Sequence, residues 1–302
     1  MGEDFAARLD DPAAVLLDGP MGTEIDRRGG RTTLPLWSAW ALLDDPGLVQ
    51  QVHEDNVRAG AEVLTANTFR THRRSLAKAG MGNRAGELTN SAVSLARHAA
   101  ESADGRVFVA GSIAPLEDCY SPDLTPSDND LEAEHTEMAE HLAASGVDLV
   151  LVETMPTIRE AEAATRAASV CGVPIWTGFT CGPDGALVSG ESIAAASTAS
   201  TAAGAIGVMV NCSAAVTLHV ALGLLAATSE VPLAAYGNVG HAEDTSGWSA
   251  TDVMSAAEYA GLAERWIELG ARMIGGCCGT RPEHLEALRT LVAKTDDGGE
   301  RA

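Results

Sequence analysis

The chain has 302 residues, an apolar fraction of 46% and a net charge of −22. That is enough apolar material for one α/β domain of barrel size or two smaller ones. No basic block occurs, and Lys78 and Lys294 are the only lysines, which argues against nucleic acid or an anionic membrane surface as a partner.

The chain opens with MGEDFAARLDD, which lacks the apolar core of a signal peptide. No apolar run reaches the roughly 18 residues of a membrane span. Six cysteines are too few for a disulfide scaffold, and in a reducing compartment grouped thiols point to metal or catalysis. The expectation is a soluble, cytoplasmic protein of open oligomeric state.

The first apolar run, AVLLDG (14–19), ends in Asp18-Gly19. LPLWSAW (34–40) follows, and Asp45-Pro46 then opens a helix with proline near its first position. VQQVHEDNVRAG (49–60) has helical spacing. The second run, EVLTANT (62–68), ends in Asn67-Thr68, and a long connection (70–88) leads to the helical SAVSLARHAA (91–100). The third, RVFVAGS (106–112), precedes the connection LEDCYSPDLTPSDND (116–130), in which Thr125-Pro126 reads as a second helix start. The fourth, VDLVLVET (147–154), ends in Glu153-Thr154, and Thr157 with Glu160 fits a capping box.

In the second half VPIWTGFT (173–180) is followed by the connection CGPDGALVSGE (181–191). AIGVMVNC (205–212) ends in Asn211-Cys212. VPLAAYGN (231–238) carries Tyr236 and Asn238, and VGHAEDTSGWSATDV (239–253) connects onward. The eighth run, ARMIGGCC (271–278), ends in Cys277-Cys278. Thr280 with Glu283 suggests another capping box before the helical LEALRTLVAK (285–294), and TDDGGERA (295–302) reads as a disordered tail.

The runs do not alternate apolar with polar residues, so each strand should be buried on both faces, as in parallel sheets. Eight strand-then-helix units favour a single (β/α)8 barrel over residues 1–294, against an open doubly wound sheet. Active sites of such barrels lie at the C-terminal ends of the strands, and that is where the polar and thiol residues collect. If strands six and eight end at one height, Cys212, Cys277 and Cys278 converge. Three thiolates with a fourth position free match a catalytic zinc site, and Gly275, Gly276 and Gly279 would let the backbone bend to aim both adjacent sulfurs inward. Cys119, Cys171 and Cys181 read as small core residues. A carboxylate on a buried strand, Glu153, needs a partner, either a bound ammonium or a structural arginine. Asp18 reads equally as a ligand group or as a cap of the next turn.

DGPMGTEI (18–25), LWSA (36–39), ANTF (66–69), ETMP (153–156), VNCS (210–213) and MIGGCCGT (273–280) occur in this order. Together the set resembles the homocysteine S-methyltransferase family, over nearly the whole chain. The resemblance implies Zn2+ held by Cys212, Cys277 and Cys278, with homocysteine sulfur in the fourth position. It implies that Asp18 and Glu153 face the homocysteine ammonium, with Gly19, Asn67 and Thr68 near its carboxylate. DGPMGTE and LWSA look closest to the branch that uses S-methylmethionine, and methionine would be a product. A cationic methyl donor favours aromatic faces, for which Trp37, Tyr236 and Trp248 are candidates, while Trp40 reads as helix packing. One stretch departs from that branch: Tyr-Pro-Asn-Ser-Gly-Glu is replaced by Tyr236-Gly237-Asn238-Val239-Gly240-His241. Betaine, a methylated corrinoid or S-adenosylmethionine as donor, a selenol as acceptor, and a zinc or redox sensor without turnover are the alternatives.

Overall fold

A computed structural model describes residues 2–239, 241–243, 247–249 and 254–299, apart from the side chains of 2–4, 241–243, 247–249 and 295–299. Ten strands follow in chain order: β1 Val15–Leu16, β2 Val63–Thr65, β3 Phe108–Ile113, β4 Leu149–Met155, β5 Ile175–Phe179, β6 Gly207–Ala214, β7 Leu233–Asn238, β8 His241–Glu243, β9 Gly247–Ser249 and β10 Ala271–Gly276. Eight of them form one parallel sheet in the order β1-β10-β7-β6-β5-β4-β3-β2. A parallel bridge between Leu17 and Val63 joins its two edges. The closed sheet with helices between its strands is the (β/α)8 barrel expected from the eight runs. The strands β2 to β7 and β10 are buried along almost their whole length, which is why their sequences do not alternate. Among the described residues no helix is long and apolar enough to cross a membrane.

The barrel interior is layered. Val15, Leu17, Val63, Phe108, Ala110, Leu149, Leu151, Trp176, Met209, Ala234, Tyr236 and Met273 form one apolar cluster, sealed by Phe5 of the first helix, Gly2–Asp10. Phe5 meets Phe108 edge to face at 5.2 Å between centroids. Inward positions recur every second residue, so the next inward residues after these are polar: Thr65 follows Val63, Ser112 follows Ala110, and Glu153 follows Leu151. A dry floor thus supports a polar upper layer at the strands' C-terminal ends.

The helix starts agree only in part with the sequence signals. Asp45 Oδ1 accepts the amide of Leu48 at 3.1 Å, and Pro46 begins the helix Pro46–Ala59. Thr125-Pro126 does not open a helix. Ser127 caps Asp128–Ser145 instead, accepting the Asp130 amide. Thr157 caps Ile158–Ala168, but the Glu160 carboxylate does not close the box, because it accepts the Leu116 amide at 2.8 Å from the loop after β3. Thr280 is not a cap: its hydroxyl donates to the Cys277 carbonyl at 2.8 Å, while His284 Nδ1 accepts the Arg281 amide beside the helix Pro282–Gly299. A complete capping box occurs at Ser255 and Glu258. The long connection after β2 contains a short helix, Arg73–Ala77, and that after β7 an antiparallel hairpin, β8–β9. Trp248 and His241 lie in this hairpin, and their side chains fall outside the described residues, as does all of 300–302.

Candidate functional site

A cavity of about 540 Å³ opens at the C-terminal ends of the strands. Of the residues expected there, Asp18, Gly19, Trp37, Asn67, Glu153, Cys212, Tyr236, Cys277 and Cys278 line it. Thr68 and Asn238 do not, and both are spent on the backbone around it. Thr68 Oγ1 donates to the Ser112 carbonyl and accepts the Ser112 amide, tying the end of β2 to β3. Asn238 Oδ1 accepts the Cys278 amide at 3.1 Å.

The three thiols converge as the sequence suggested, with the Sγ atoms of Cys212, Cys277 and Cys278 all within 4.8 Å of one another. Cys212 ends its run with a left-handed backbone, φ 51°. The cysteine pair is laced to β7: Cys277 N donates to Gly237 O at 3.1 Å, and Val239 N donates to Cys278 O at 3.0 Å. The flanking glycines act differently from the expectation. Only Gly279 takes a positive φ, 83°. Gly276 is needed for close approach, because a Cβ there would overlap the Thr280 side chain.

Three thiols this close cannot all ionise without a cation. Cys212 ionises first, held well below the usual thiol range chiefly because Cys277 and Cys278 donate toward its sulfur. Cys277 and Cys278 are pushed well up, first because each holds its proton in a hydrogen bond to Cys212, and then by burial and the Cys212 charge. A divalent ion with a preference for thiolate resolves this frustration, and sulfur donors suit zinc.

Beside the thiols stand two carboxylates with no cationic partner. Asp18 is buried, and accepts Thr65 N at 2.7 Å and Thr65 Oγ1 at 2.8 Å. It therefore spans to β2 and does not cap the turn that follows it. Burial raises its pKa to about 7 against those hydrogen bonds. Glu153 accepts from Ser112 Oγ, from the Tyr236 hydroxyl at 3.1 Å and from Asn211 Nδ2 at 3.4 Å, and burial raises it also to about 7. No arginine answers either group, so of the two partners open to Glu153 the structural one is absent among the described residues.

Trp37 is half-buried in the wall, with its indole against Gly22. Trp37 (φ 50°), Thr154 (φ 64°) and Cys212 (φ 51°) are the non-glycine residues with left-handed backbone among those described, and all three line this one cavity. Such conformations cost roughly 1–3 kcal/mol each and persist where the surroundings enforce them. Asn67 faces the cavity but its amide is committed to Ser38, accepting from the hydroxyl at 2.6 Å and donating to the carbonyl at 3.0 Å. It thereby fixes the LWSA segment that presents Trp37. Trp40 lies outside the cavity, bonded to the Thr33 carbonyl and covered by Arg31 at 3.2 Å.

Four of the wall residues that sequence reasoning missed stand close to the thiols, the carboxylates or the mouth. Tyr120 donates to the Cys212 carbonyl at 2.9 Å and lies 3.1 Å from its sulfur. Ser112 holds Glu153. Cys119, read as a core residue, is buried but forms part of the wall, as does Arg70. All except Ser112 lie in connections just beyond strand ends, the rim where function was expected, and that position was the available signal. Cys181 is buried outside the cavity wall, 3.9 Å from the Phe179 carbonyl.

The family model for homocysteine S-methyltransferase matches residues 15–292. The homocysteine S-methyltransferase of Escherichia coli is 32% identical over 94% of this chain and 96% of its own. A selenocysteine methyltransferase of Astragalus bisulcatus is 28% identical over 93% of each chain. A crystal structure of an Escherichia coli homocysteine methyltransferase in a metallated form superposes with a TM-score of 0.81 at 30% identity, covering 94% of this chain and 98% of that one.

Proposed function

The chain belongs to the homocysteine S-methyltransferase family, and from that premise we propose that it transfers a methyl group from a methylsulfonium donor, S-methylmethionine foremost, to homocysteine, at a Zn2+ bound by Cys212, Cys277 and Cys278. The carrying observation is the meeting of three mutually frustrated thiols with two buried, cation-free carboxylates in one cavity. Thiols and carboxylates side by side in one cavity match a small molecule with a thiol and an ammonium. Bound there, zinc would supply the deprotonation of the incoming thiol at neutral pH, where a free alkyl thiol is mostly protonated.

The residues of the chain do the rest. Asp18 and Glu153 receive the ammonium. Their pKa values near 7 mean that its arrival draws them into the charged form, since an opposite charge stabilises a carboxylate. Thr65, Ser112 and Tyr236 fix the oxygens that make this contact. The homocysteine sulfur pair forms the new bond to the methyl carbon. The old carbon–sulfur bond breaks, and its electron pair leaves on the donor as a neutral thioether. Trp37 offers the sulfonium an aromatic face before transfer, worth about 0.5–2 kcal/mol. That attraction fades as the charge is lost, so a single contact serves better than a closed cage.

A selenol carries the same nucleophile geometry, and the selenocysteine methyltransferase relative favours testing selenohomocysteine beside homocysteine. The test is an assay of zinc-loaded protein with a panel of donors, methionine being read by mass spectrometry. S-Methylmethionine is expected to give the highest kcat/KM. A higher value for betaine overturns the donor assignment, and no methionine from any donor overturns the reaction.

A further inference from the structure

Resting on that reaction, we infer that Arg70, with Asp118 beside it, is the receptor for the methyl donor's own α-amino-acid end. The cavity wall carries three acidic side chains, Asp18, Asp118 and Glu153, and one cationic one, Arg70, among the described residues. The acids divide by depth. Asp18 and Glu153 are buried at the strand ends next to the thiols, while Asp118 is exposed at the mouth. Arg70 is half-buried on the loop after β2, and its Nη1 donates to the Glu117 carbonyl at 3.0 Å. Arg70 is therefore anchored to the loop after β3, the loop that carries Asp118.

Arg70 and Asp118 line the same wall as the buried Cys119. They nevertheless make no ion pair with each other among the described residues. The Asp118 carboxylate accepts from Ser121 Oγ at 2.6 Å, and the guanidinium lies 5.3 Å from the Phe69 ring. A separated positive and negative charge at the mouth complements a zwitterion, carboxylate to Arg70 and ammonium to Asp118. The deep site already has its own acids and its own thiol-binding end, so the acceptor occupies that level. The molecule at the mouth is then the second reactant. This selects donors that are α-amino acids bearing a sulfonium over simple onium ions, and over betaine, which has a carboxylate but no ammonium proton to give Asp118.

The experiment uses zinc-loaded Arg70→Met and Arg70→Lys proteins with S-methylmethionine and with (3-aminopropyl)dimethylsulfonium, which lacks the carboxylate. Initial rates give both KM values, and calorimetry gives donor binding without turnover. Arg70→Met is expected to raise the donor KM and Kd roughly ten- to hundredfold, the loss of one charge-assisted hydrogen bond, while homocysteine KM stays within about twofold. The preference of the parent protein for the carboxylated sulfonium should vanish in Arg70→Met and partly survive in Arg70→Lys. A raised homocysteine KM with an unchanged donor KM would place Arg70 on the acceptor and overturn the inference, as would no change in either. If no methionine forms with any sulfonium the reaction itself fails, yet the calorimetric comparison still decides the role of Arg70: equal affinities for the two sulfoniums overturn it.

Discussion

The three thiols set one another's ionisation, which is favoured at Cys212 and opposed at Cys277 and Cys278. Removing one sulfur leaves two donors to a soft divalent ion, too few for a stable thiolate site. Cys212→Ala, Cys277→Ala and Cys278→Ala should each lose most of about one zinc per chain, read by elemental analysis of the purified protein. Full retention by Cys277→Ala would mean that other residues build the site. The carboxylates permit a second test. With pKa values raised to about 7, Asp18 and Glu153 are neutral below that pH and charged above it. An ammonium ligand therefore binds better as pH rises through about 7. Homoserine separates this effect from thiol ionisation, because it keeps the ammonium and lacks the thiol. Its affinity should rise between pH 6 and pH 8, and Glu153→Gln should weaken homocysteine by roughly 1.5–3 kcal/mol while keeping zinc. A flat pH profile for homoserine would return both carboxylates to a structural role. At this scale the sequence shows the thiols plainly, since GGCCG at a strand end has few other uses. It does not show Ser112, Tyr120 or Arg70, because their meaning comes from partners far away in the sequence, Ser112 and Glu153 being 41 residues apart and Tyr120 and Cys212 92 apart.

Among the elements, the strands were the most legible, because burial on both faces leaves uninterrupted apolar runs whose ends mark the rim. Helix starts were less so, since a capping signal competes with tertiary demands on the same side chains. Thr280 is drawn to the Cys277 carbonyl and Glu160 to the Leu116 amide, each serving a rim loop at the expense of a cap. The pair β7 and β10 shows how elements hold the site. Asn238, at the end of β7, fixes the Cys278 amide, and the backbone of Gly237 and Val239 holds the rest of the pair. Groups behind a ligand typically contribute ten- to a hundredfold in metal affinity, so Asn238→Ala should lose roughly that much zinc affinity with the circular dichroism of the fold retained. Competition with a zinc chelator measures it, and an unchanged midpoint would show that the backbone contacts alone position Cys278. By contrast Ser255→Ala removes a capping box whose residues do not line the cavity. It should cost about 1 kcal/mol of stability, seen as a lower Tm, with zinc affinity unaltered.

At the scale of the whole molecule, the barrel places its least stable chemistry at one end and a dry, tightly packed floor at the other. The cost of holding Asp18 and Glu153 without a cation should be visible as a dependence of stability on pH. Their unperturbed pKa values are 3.8 and 4.5, and in the fold both are raised to about 7. Between those limits the folded state binds more protons than the unfolded chain, so stability falls as pH rises. The stabilisation is complete below about pH 4 and is lost as pH rises through about 7. Carboxylates paired with arginine act in the opposite sense. Glu24 and Asp55 are lowered by their arginines, and their contribution is lost only as pH falls through those lowered values. The window from about pH 5 to about pH 7 therefore isolates the buried pair once the histidines are common to both proteins compared. The measurement is the Tm of metal-free, reduced protein at pH 5, 6 and 7, for the parent chain and for Asp18→Asn/Glu153→Gln. The parent should lose stability across this range and the double variant should lose much less, because two neutral amides have no proton to release. Adding a saturating ammonium ligand should flatten the parent profile in the same way, by supplying the missing charge. Equal slopes for the two proteins would mean that the carboxylates find partners in the fold, and the ammonium pocket would lose its physical basis.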